Sequence, residues 1–251
     1  MTRNKKMLFI GIALITYVLI IAFPTYFFTK DMVVLRSIEL GLRVLYLVFI
    51  IVFSHLTKIN KSYTGQTKLT NLFLLLPIFF VAFINIFYLG VIRGVSIVIN
   101  PFSDVIYGLG FASLIITAIE EVYLFFFIIQ KNLTMAHKIA RIFVAAAIFA
   151  ITHIFILLYS GLGIINPLDL IDILFKFGIG IILGVLFEYT NNIAVPMAFN
   201  IIYTISNQML YKVTISDNPH WSYYLTVSLF AVFGAAYLLI FYFLMLKKEN
   251  R

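Results

Sequence analysis

The sequence contains no cysteine and few charged residues. Of its 251 residues, 11% are charged and 63% are hydrophobic, whereas a soluble domain carries about 25% charged residues. So few charges could not cover the surface of a soluble domain of this length, and we therefore expect an integral membrane protein. The absence of cysteine excludes disulfides, a thiolate metal site and a cysteine nucleophile.

The sequence also lacks the alternation of apolar and polar residues that is typical of membrane β-barrels. It has instead about eight apolar runs, each near the length of about 20 residues that a transmembrane helix needs. These runs predict an all-α fold, a polytopic transmembrane bundle of about eight helices that forms one integral membrane domain over residues 1–251. The runs lie near residues 7–28, 39–57, 70–92, 104–130, 138–160, 169–187, 190–210 and 222–246.

Basic residues exceed acidic ones, giving a net charge of +8. They are scattered at the ends of apolar runs, which favours a positive-inside topology over nucleic-acid binding. With eight helices, one side of the bundle carries most of them, so we expect a multi-pass protein of the cell membrane with both termini cytoplasmic. That side holds Arg3, Lys5, Lys6, Lys58, Lys61, Lys68, Lys131, Lys138, Arg141, Lys247, Lys248 and Arg251.

Two adjacent carboxylates, Glu120 and Glu121, lie inside the apolar run 104–130. A carboxylate at membrane depth costs several kcal/mol and is a candidate functional group by default. Neighbouring residues on a helix point about 100° apart, so we expect one glutamate to face a polar chamber and the other to bind elsewhere. The first could act as a general base. Alternatively, one or both glutamates are protonated and only bridge helices by hydrogen bonds.

Two further polar residues lie deep in later runs. His153 follows a stretch of alanine, isoleucine and phenylalanine, and a neutral imidazole there could donate to a water or accept from a carboxyl. The amide of Asn200 could donate to a developing oxyanion, and Thr204 and Asn207 share its helix face. The alternatives are a packing histidine and an asparagine that only joins helices.

Lys176 is a cation in the sixth run, and Asp172 lies four residues before it. An ordinary i,i+4 ion pair explains this spacing, while a sharper hypothesis has Lys176 reach the glutamate pair. Zinc sites often use an H-E-x-x-H pair, which is absent here. We therefore expect neither a metal nor a cofactor, and a water activated by glutamate fits these residues better.

Several of these residues recur in one order along the chain. The ordered pieces are Glu120-Glu121, Phe149 with His153, Phe177-Gly178 through Gly184 to Phe187, and Thr190-Asn191-Asn192-Ile193 with Pro196. Together they resemble the CAAX protease and bacteriocin-processing family, also called the Abi family, of intramembrane glutamate-type endopeptidases. The resemblance covers about residues 104–207.

The resemblance implies a helical bundle around a polar chamber, in which a glutamate activates water against a peptide bond with help from a histidine and oxyanion donors. Members cleave prenylated C-termini, process or resist bacteriocins, or act in envelope and signalling pathways. On this basis we predict Glu120, Glu121, His153 and Asn200 as catalytic residues, with Asn200 as the oxyanion donor.

The sequence departs from the family pattern at three positions. The first motif, E-E-x-x-x-R, has Phe125 in place of arginine, and the last motif, H-x-x-x-N, has Asn200 and Thr204. The loss of the arginine removes a cation from beside Glu121, so we expect Glu121 to be a poorer base. Loss of one oxyanion donor typically costs about 10²–10³ in rate. An impaired protease is therefore one expectation.

Three functions are compatible with these residues. The first is an endopeptidase that acts on a peptide or membrane-protein substrate within the bilayer. The second is a non-catalytic scaffold or bacteriocin-immunity-like relative that binds a partner, which the three departures favour. The third is a small transporter, since carboxylates at membrane depth also serve proton relays, although the inverted repeats of transporters are not evident.

Overall fold

The computed structural model describes residues 3–22, 31–56, 105–135, 137–157 and 167–208, with residues 234, 236, 237 and 240. These parts of the chain are all-helical, and the prediction of an all-α fold is confirmed for them. The helices are α1 (Arg3–Ala22), α2 (Met32–Leu56), α3 (Val105–Glu121), α4 (Lys138–Leu157), α5 (Pro167–Thr190) and α6 (Ala194–Gln208), with a π-helical segment (Val122–Gln130) that continues α3.

Three stretches are long and apolar enough to cross a membrane, and they are Met32–Leu56, Val105–Gln130 and Ile173–Thr190. They agree with a membrane protein and with three of the predicted spans. The predicted runs at 70–92 and, almost entirely, 222–246 lie outside the described residues. A count of eight helices stays a prediction.

The fourth predicted span is one continuous rod with two kinds of helical geometry. It is α-helical from Val105 to Glu121 and π-helical from Val122 to Gln130. π-Helical turns are rare and frequently lie at functional sites, and this one begins directly after the glutamate pair. All nine residues of the π-helical segment are buried, so this part of the continuous helix is surrounded by other helices.

Helices α4 and α5 form the most extensive pairing in the described structure. Glycine permits their close approach, because a Cβ at Gly180 would lie 3.0 Å from the backbone of Ala146. A Cβ at Gly184 would lie 2.9 Å from Oε1 of Gln130. The pairing fixes α4, and with it His153, against the centre of the bundle.

The Thr190-Asn191-Asn192 sequence forms the turn between α5 and α6. Asn191 has a positive φ of 48°, a conformation that asparagine tolerates better than most residues and that commonly ends helices. Asn192 then caps α6, since its Oδ1 accepts a hydrogen bond from the backbone N–H of Ala194 at 2.9 Å. These motif residues therefore set the position of α6 and of Asn200 on it.

Helices α1 and α2 pack together on the outside of α3. The rings of Phe9 and Phe53 stack with their centroids 3.9 Å apart, and the hydroxyl of Tyr46 donates to the carbonyl of Ala13 at 2.9 Å. Helix α2 also packs extensively along α3. Both helices therefore bring side chains to the glutamate pair.

Candidate active site

Glu121 is the centre of a polar cluster to which three other helices contribute. Its Oε1 accepts a hydrogen bond from the hydroxyl of Tyr17 on α1 at 3.2 Å and lies 3.6 Å from Nε2 of His153 on α4. Its Oε2 accepts from Nδ2 of Asn200 on α6 at 3.0 Å. The structure therefore brings together three of the four residues predicted from the sequence.

His153 has a defined orientation because its other nitrogen is already bonded. Nδ1 lies 2.8 Å from the carbonyl oxygen of Phe149, one turn earlier on α4. A carbonyl can only accept, so Nδ1 carries a hydrogen and donates it. Nε2 is consequently the nitrogen that faces Glu121. The distance of 3.6 Å is that of an ion pair and is too long for a hydrogen bond, so the two groups must move closer before they can share a proton.

Asn200 joins α6 to the end of α3. Its Nδ2 donates to Oε2 of Glu121 and also to the carbonyl of Ala118, both at 3.0 Å. Ala118 lies one turn before the π-helical segment, where the backbone hydrogen bonding is about to change register. Both amide hydrogens of Asn200 are thus directed at α3, and one of them fixes the orientation of the Glu121 carboxylate.

Glu120 points to a different neighbour from Glu121. Its Oε2 lies 3.4 Å from Nη1 of Arg43 on α2, and its buried Oε1 has no hydrogen-bond partner among the residues that the structure describes. The two glutamates therefore serve different helices, as their helical spacing predicts. Glu120, the fourth predicted site residue, is not part of the cluster with His153 and Asn200.

The two carboxylates also differ in their access to solvent. The side chain of Glu120 is 1% exposed, whereas those of Glu121 and His153 are 12% and 11% exposed. A general base must reach the water that it deprotonates. By exposed area, Glu121 is the less deeply buried of the two glutamate side chains.

The structure places the remaining residues singled out in the sequence around this cluster. Phe125 is fully buried between Tyr17 and Phe149, with ring centroids 5.4 and 5.2 Å away. Thr204 is buried one turn after Asn200 on α6. Lys176 lies with its Nζ 5.9 Å from the centre of the Tyr203 ring. The side chains of Asp172 and Asn207 lie outside the described residues.

Sequence reasoning missed Tyr17 and Arg43, which belong to the first two helices. Arg43 had a usable signal, because a charged residue inside an apolar run is a functional candidate in its own right. Tyr17 had none, since a tyrosine in an apolar helix is ordinary. Its role depends on the packing of α1 against α3, which a single sequence does not reveal.

A second buried polar cluster lies at the other end of the π-helical segment. Glu188 on α5 binds Nη2 of Arg141 at 3.1 Å and Nε2 of Gln130 at 3.2 Å. Gln130 also donates to the carbonyl of Gly184 at 3.3 Å. This cluster fastens α4, α5 and the π-helical segment to each other. Within the described ranges, no three His, Asp or Glu side chains are grouped so that they could hold a metal ion.

Comparison with known families gives one match. Residues 102–206 match the family model described as type II CAAX prenyl endopeptidase Rce1-like. This match confirms the resemblance of residues 104–207 to the CAAX protease family. The matched segment contains Glu120, Glu121, His153 and Asn200 but neither Tyr17 nor Arg43. No curated protein and no solved structure matches the chain.

Proposed function

We propose that this protein is an intramembrane glutamate-type endopeptidase in which Glu121 activates the attacking water. The observation that carries the proposal is the convergence of Glu121, His153 and Asn200 from three helices at 3.0–3.6 Å. Catalytic partners must lie within hydrogen-bond reach, directly or through one water. The contact between Asn200 and Glu121 at 3.0 Å meets this condition, and the contact between His153 and Glu121 at 3.6 Å is slightly longer.

In the proposed reaction, the carboxylate of Glu121 and the imidazole of His153 together hold the proton that is taken from water. Glu121 takes a proton from water while the water oxygen forms a bond to the carbonyl carbon of the peptide. The tetrahedral intermediate then breaks its C–N bond, and the stored proton passes to the leaving amine. His153 stabilises Glu121 while the proton is held between them. Asn200 keeps the carboxylate of Glu121 directed at the water.

The predicted oxyanion role of Asn200 stays a prediction. Both hydrogens of its amide are engaged by α3 in the structure, so donation to an oxyanion requires one of these bonds to open. Positioning of Glu121 needs no such rearrangement. Its orienting role therefore has the more direct support.

The substrate in this proposal is a peptide or a membrane protein presented from the bilayer. We further propose that the protein resides in the cell membrane with both termini in the cytoplasm, from the distribution of lysine and arginine. Protease accessibility of tags at the two termini, in intact cells and in inverted vesicles, tests this orientation.

Cleavage of an internally quenched farnesylated peptide ending in a CAAX sequence tests the proposed activity. The purified protein in lipid nanodiscs is expected to cleave it, and Glu121→Gln is expected to lower the rate by about 10²–10⁴-fold, the usual contribution of a general base. Glu120→Gln is the matched control and should lose much less. Equal loss in both variants, or none in Glu121→Gln, would contradict the assignment of Glu121.

A second candidate function is that of a non-catalytic relative that binds a partner through the same helices. The specific observation in its favour is that both amide hydrogens of Asn200 are engaged within the protein, while Phe125 fills the motif position of the arginine with an aromatic core side chain. If a cellular role of the protein survives the double change Glu120→Gln and Glu121→Gln at equal expression, this function is supported and the protease proposal fails.

A further inference from the structure

Arg43 lies on α2, outside the segment that matches the family, yet it is the cation bound to the glutamate pair. We propose that Arg43 is a positioning residue for catalysis, which binds Glu120 and thereby leaves Glu121 directed at His153 and Asn200. This inference rests on the proposed function, because it assigns Arg43 a part in the same reaction.

The position of Arg43 between two carboxylates supports this role. Nη1 lies 3.4 Å from Oε2 of Glu120, and Nε lies 3.6 Å from Oε1 of Glu39, one turn earlier on α2. The Arg43 side chain is 10% exposed. The contact with Glu39 is an ion pair without a hydrogen bond, whereas Nη1 donates a hydrogen bond to Glu120, so the guanidinium lies between two opposite charges.

The surrounding charges form a chain that leads into the bundle. Arg36, Glu39 and Arg43 lie on one face of α2 at spacings of three and four residues. Arg36 binds Glu39 at 2.7 Å, and its side chain is 38% exposed. The signs alternate from the exposed Arg36 inward to the buried Glu120. Each buried charge in this chain therefore has an opposite charge beside it, which is the condition for keeping a charge in a medium of low dielectric constant.

Glu121 depends on this chain because its neighbour carries the same kind of group. Without a cation, Glu120 would be a second buried carboxylate beside Glu121, since its side chain is only 1% exposed. Like charges that share a site disfavour ionisation of both groups. Like charges also repel each other, so an uncompensated carboxylate at Glu120 would displace the Glu121 carboxylate from His153 and Asn200. Binding to Arg43 removes that repulsion.

Two substitutions separate the charge of Arg43 from its hydrogen bonds. Arg43→Lys keeps a cation, whereas Arg43→Gln keeps hydrogen-bond donors without the charge. Arg36→Gln is the matched control, because it removes a guanidinium from the outer end of the same chain. Rates of cleavage of the farnesylated peptide are measured over a range of substrate concentrations in nanodiscs, together with thermal unfolding of each variant.

We expect Arg43→Gln to lower kcat by about 10²-fold, the typical effect of a displacement of about 1 Å at a reacting group, with little change in KM. Arg43→Lys should recover most of the loss, and Arg36→Gln should resemble the unmodified protein. If Arg43→Lys and Arg43→Gln lose activity equally, or if Arg43→Gln alters only the unfolding temperature, Arg43 is structural and the inference is overturned while the proposed function stands. If the unmodified protein and every variant fail to cleave, the proposed function fails and the inference falls with it.

Discussion

Removal of one oxygen atom from Tyr17 tests whether α1 takes part in the chemistry. In Tyr17→Phe the ring keeps its edge-on contact with Phe125, at 5.4 Å between centroids, and only the hydroxyl that donates to Glu121 is lost. The change is therefore confined to one hydrogen bond of the proposed base. Tyr17 is buried, and it lies outside residues 102–206, the segment that matches the family model.

The expected magnitude follows from the geometry of that bond. A hydrogen bond to a charged group contributes about 1.5–3 kcal/mol, and the length of 3.2 Å is beyond the usual range for O–H···O bonds. We therefore take the lower end of this range, about 1.5 kcal/mol, which corresponds to about a tenfold loss of kcat. The free energy of unfolding should fall by no more than about 1 kcal/mol, the net value of a typical hydrogen bond.

Tyr46→Phe is the matched control for this experiment. It removes a hydroxyl from another buried tyrosine at the interface of α1 and α2, where the bond goes to the carbonyl of Ala13 instead of to Glu121. We expect this variant to lose about 1 kcal/mol of stability and to keep its rate of peptide cleavage. Initial rates in nanodiscs and thermal unfolding followed by circular dichroism measure both quantities. Equal rate losses in the two variants, or an unchanged rate in Tyr17→Phe, would refute the proposed role of the hydroxyl.

Four further predictions address His153 and the packing of the helices. His153→Gln should lower kcat by about 10²–10⁴-fold, as loss of an acid–base partner does, with the unfolding temperature as the check that the variant is folded. Gly180→Ala should lower the unfolding temperature, because a Cβ there would lie 3.0 Å from the α4 backbone and overpacking costs about 1–3 kcal/mol. Gly108→Ala, whose Cβ would meet no described residue within 4 Å, should raise the unfolding temperature by the better helix propensity of alanine. Arg141→Met should destabilise the protein by about 3–5 kcal/mol, because it leaves the buried carboxylate of Glu188 without its guanidinium; denaturation in mixed micelles measures this.

Much of the helical architecture was predictable from the sequence, because apolar runs and their interruptions carry it. The predicted run 104–130 corresponds to the rod from Val105 to Gln130, and the run 138–160 corresponds to Lys138–Leu157. The start of α2 was predicted near residue 39, whereas the helix begins at Met32. Asp31 accounts for this difference, since its Oδ1 accepts hydrogen bonds from the backbone N–H groups of Val33 and Val34 and so caps the helix about two turns before the predicted start.

The division between the two glutamates was only partly predictable. Their helical spacing required different directions for Glu120 and Glu121, but the sequence did not reveal which of them would meet His153. That outcome depends on where α2 and α4 pack around α3. The π-helical segment was not predicted at all, because the run from Val122 to Gln130 has the same apolar composition as an ordinary buried helix. Its geometry is a property of the packed structure.

The position of Arg43 accounts for the difference between this sequence and the CAAX protease motif, which has an arginine where this sequence has Phe125. An arginine four residues after Glu121 would have to share the place where Phe125 now packs between Tyr17 and Phe149. The buried glutamate pair still needs a compensating charge, and Arg43 brings one from α2 to Glu120. Three helices within residues 102–206 thus supply Glu121, the proposed base, and its contacts His153 and Asn200. Two helices outside this segment supply a hydroxyl to Glu121 and a guanidinium to Glu120. A segment without α1 and α2 would retain the motif residues and lose the contacts that give the two carboxylates separate roles.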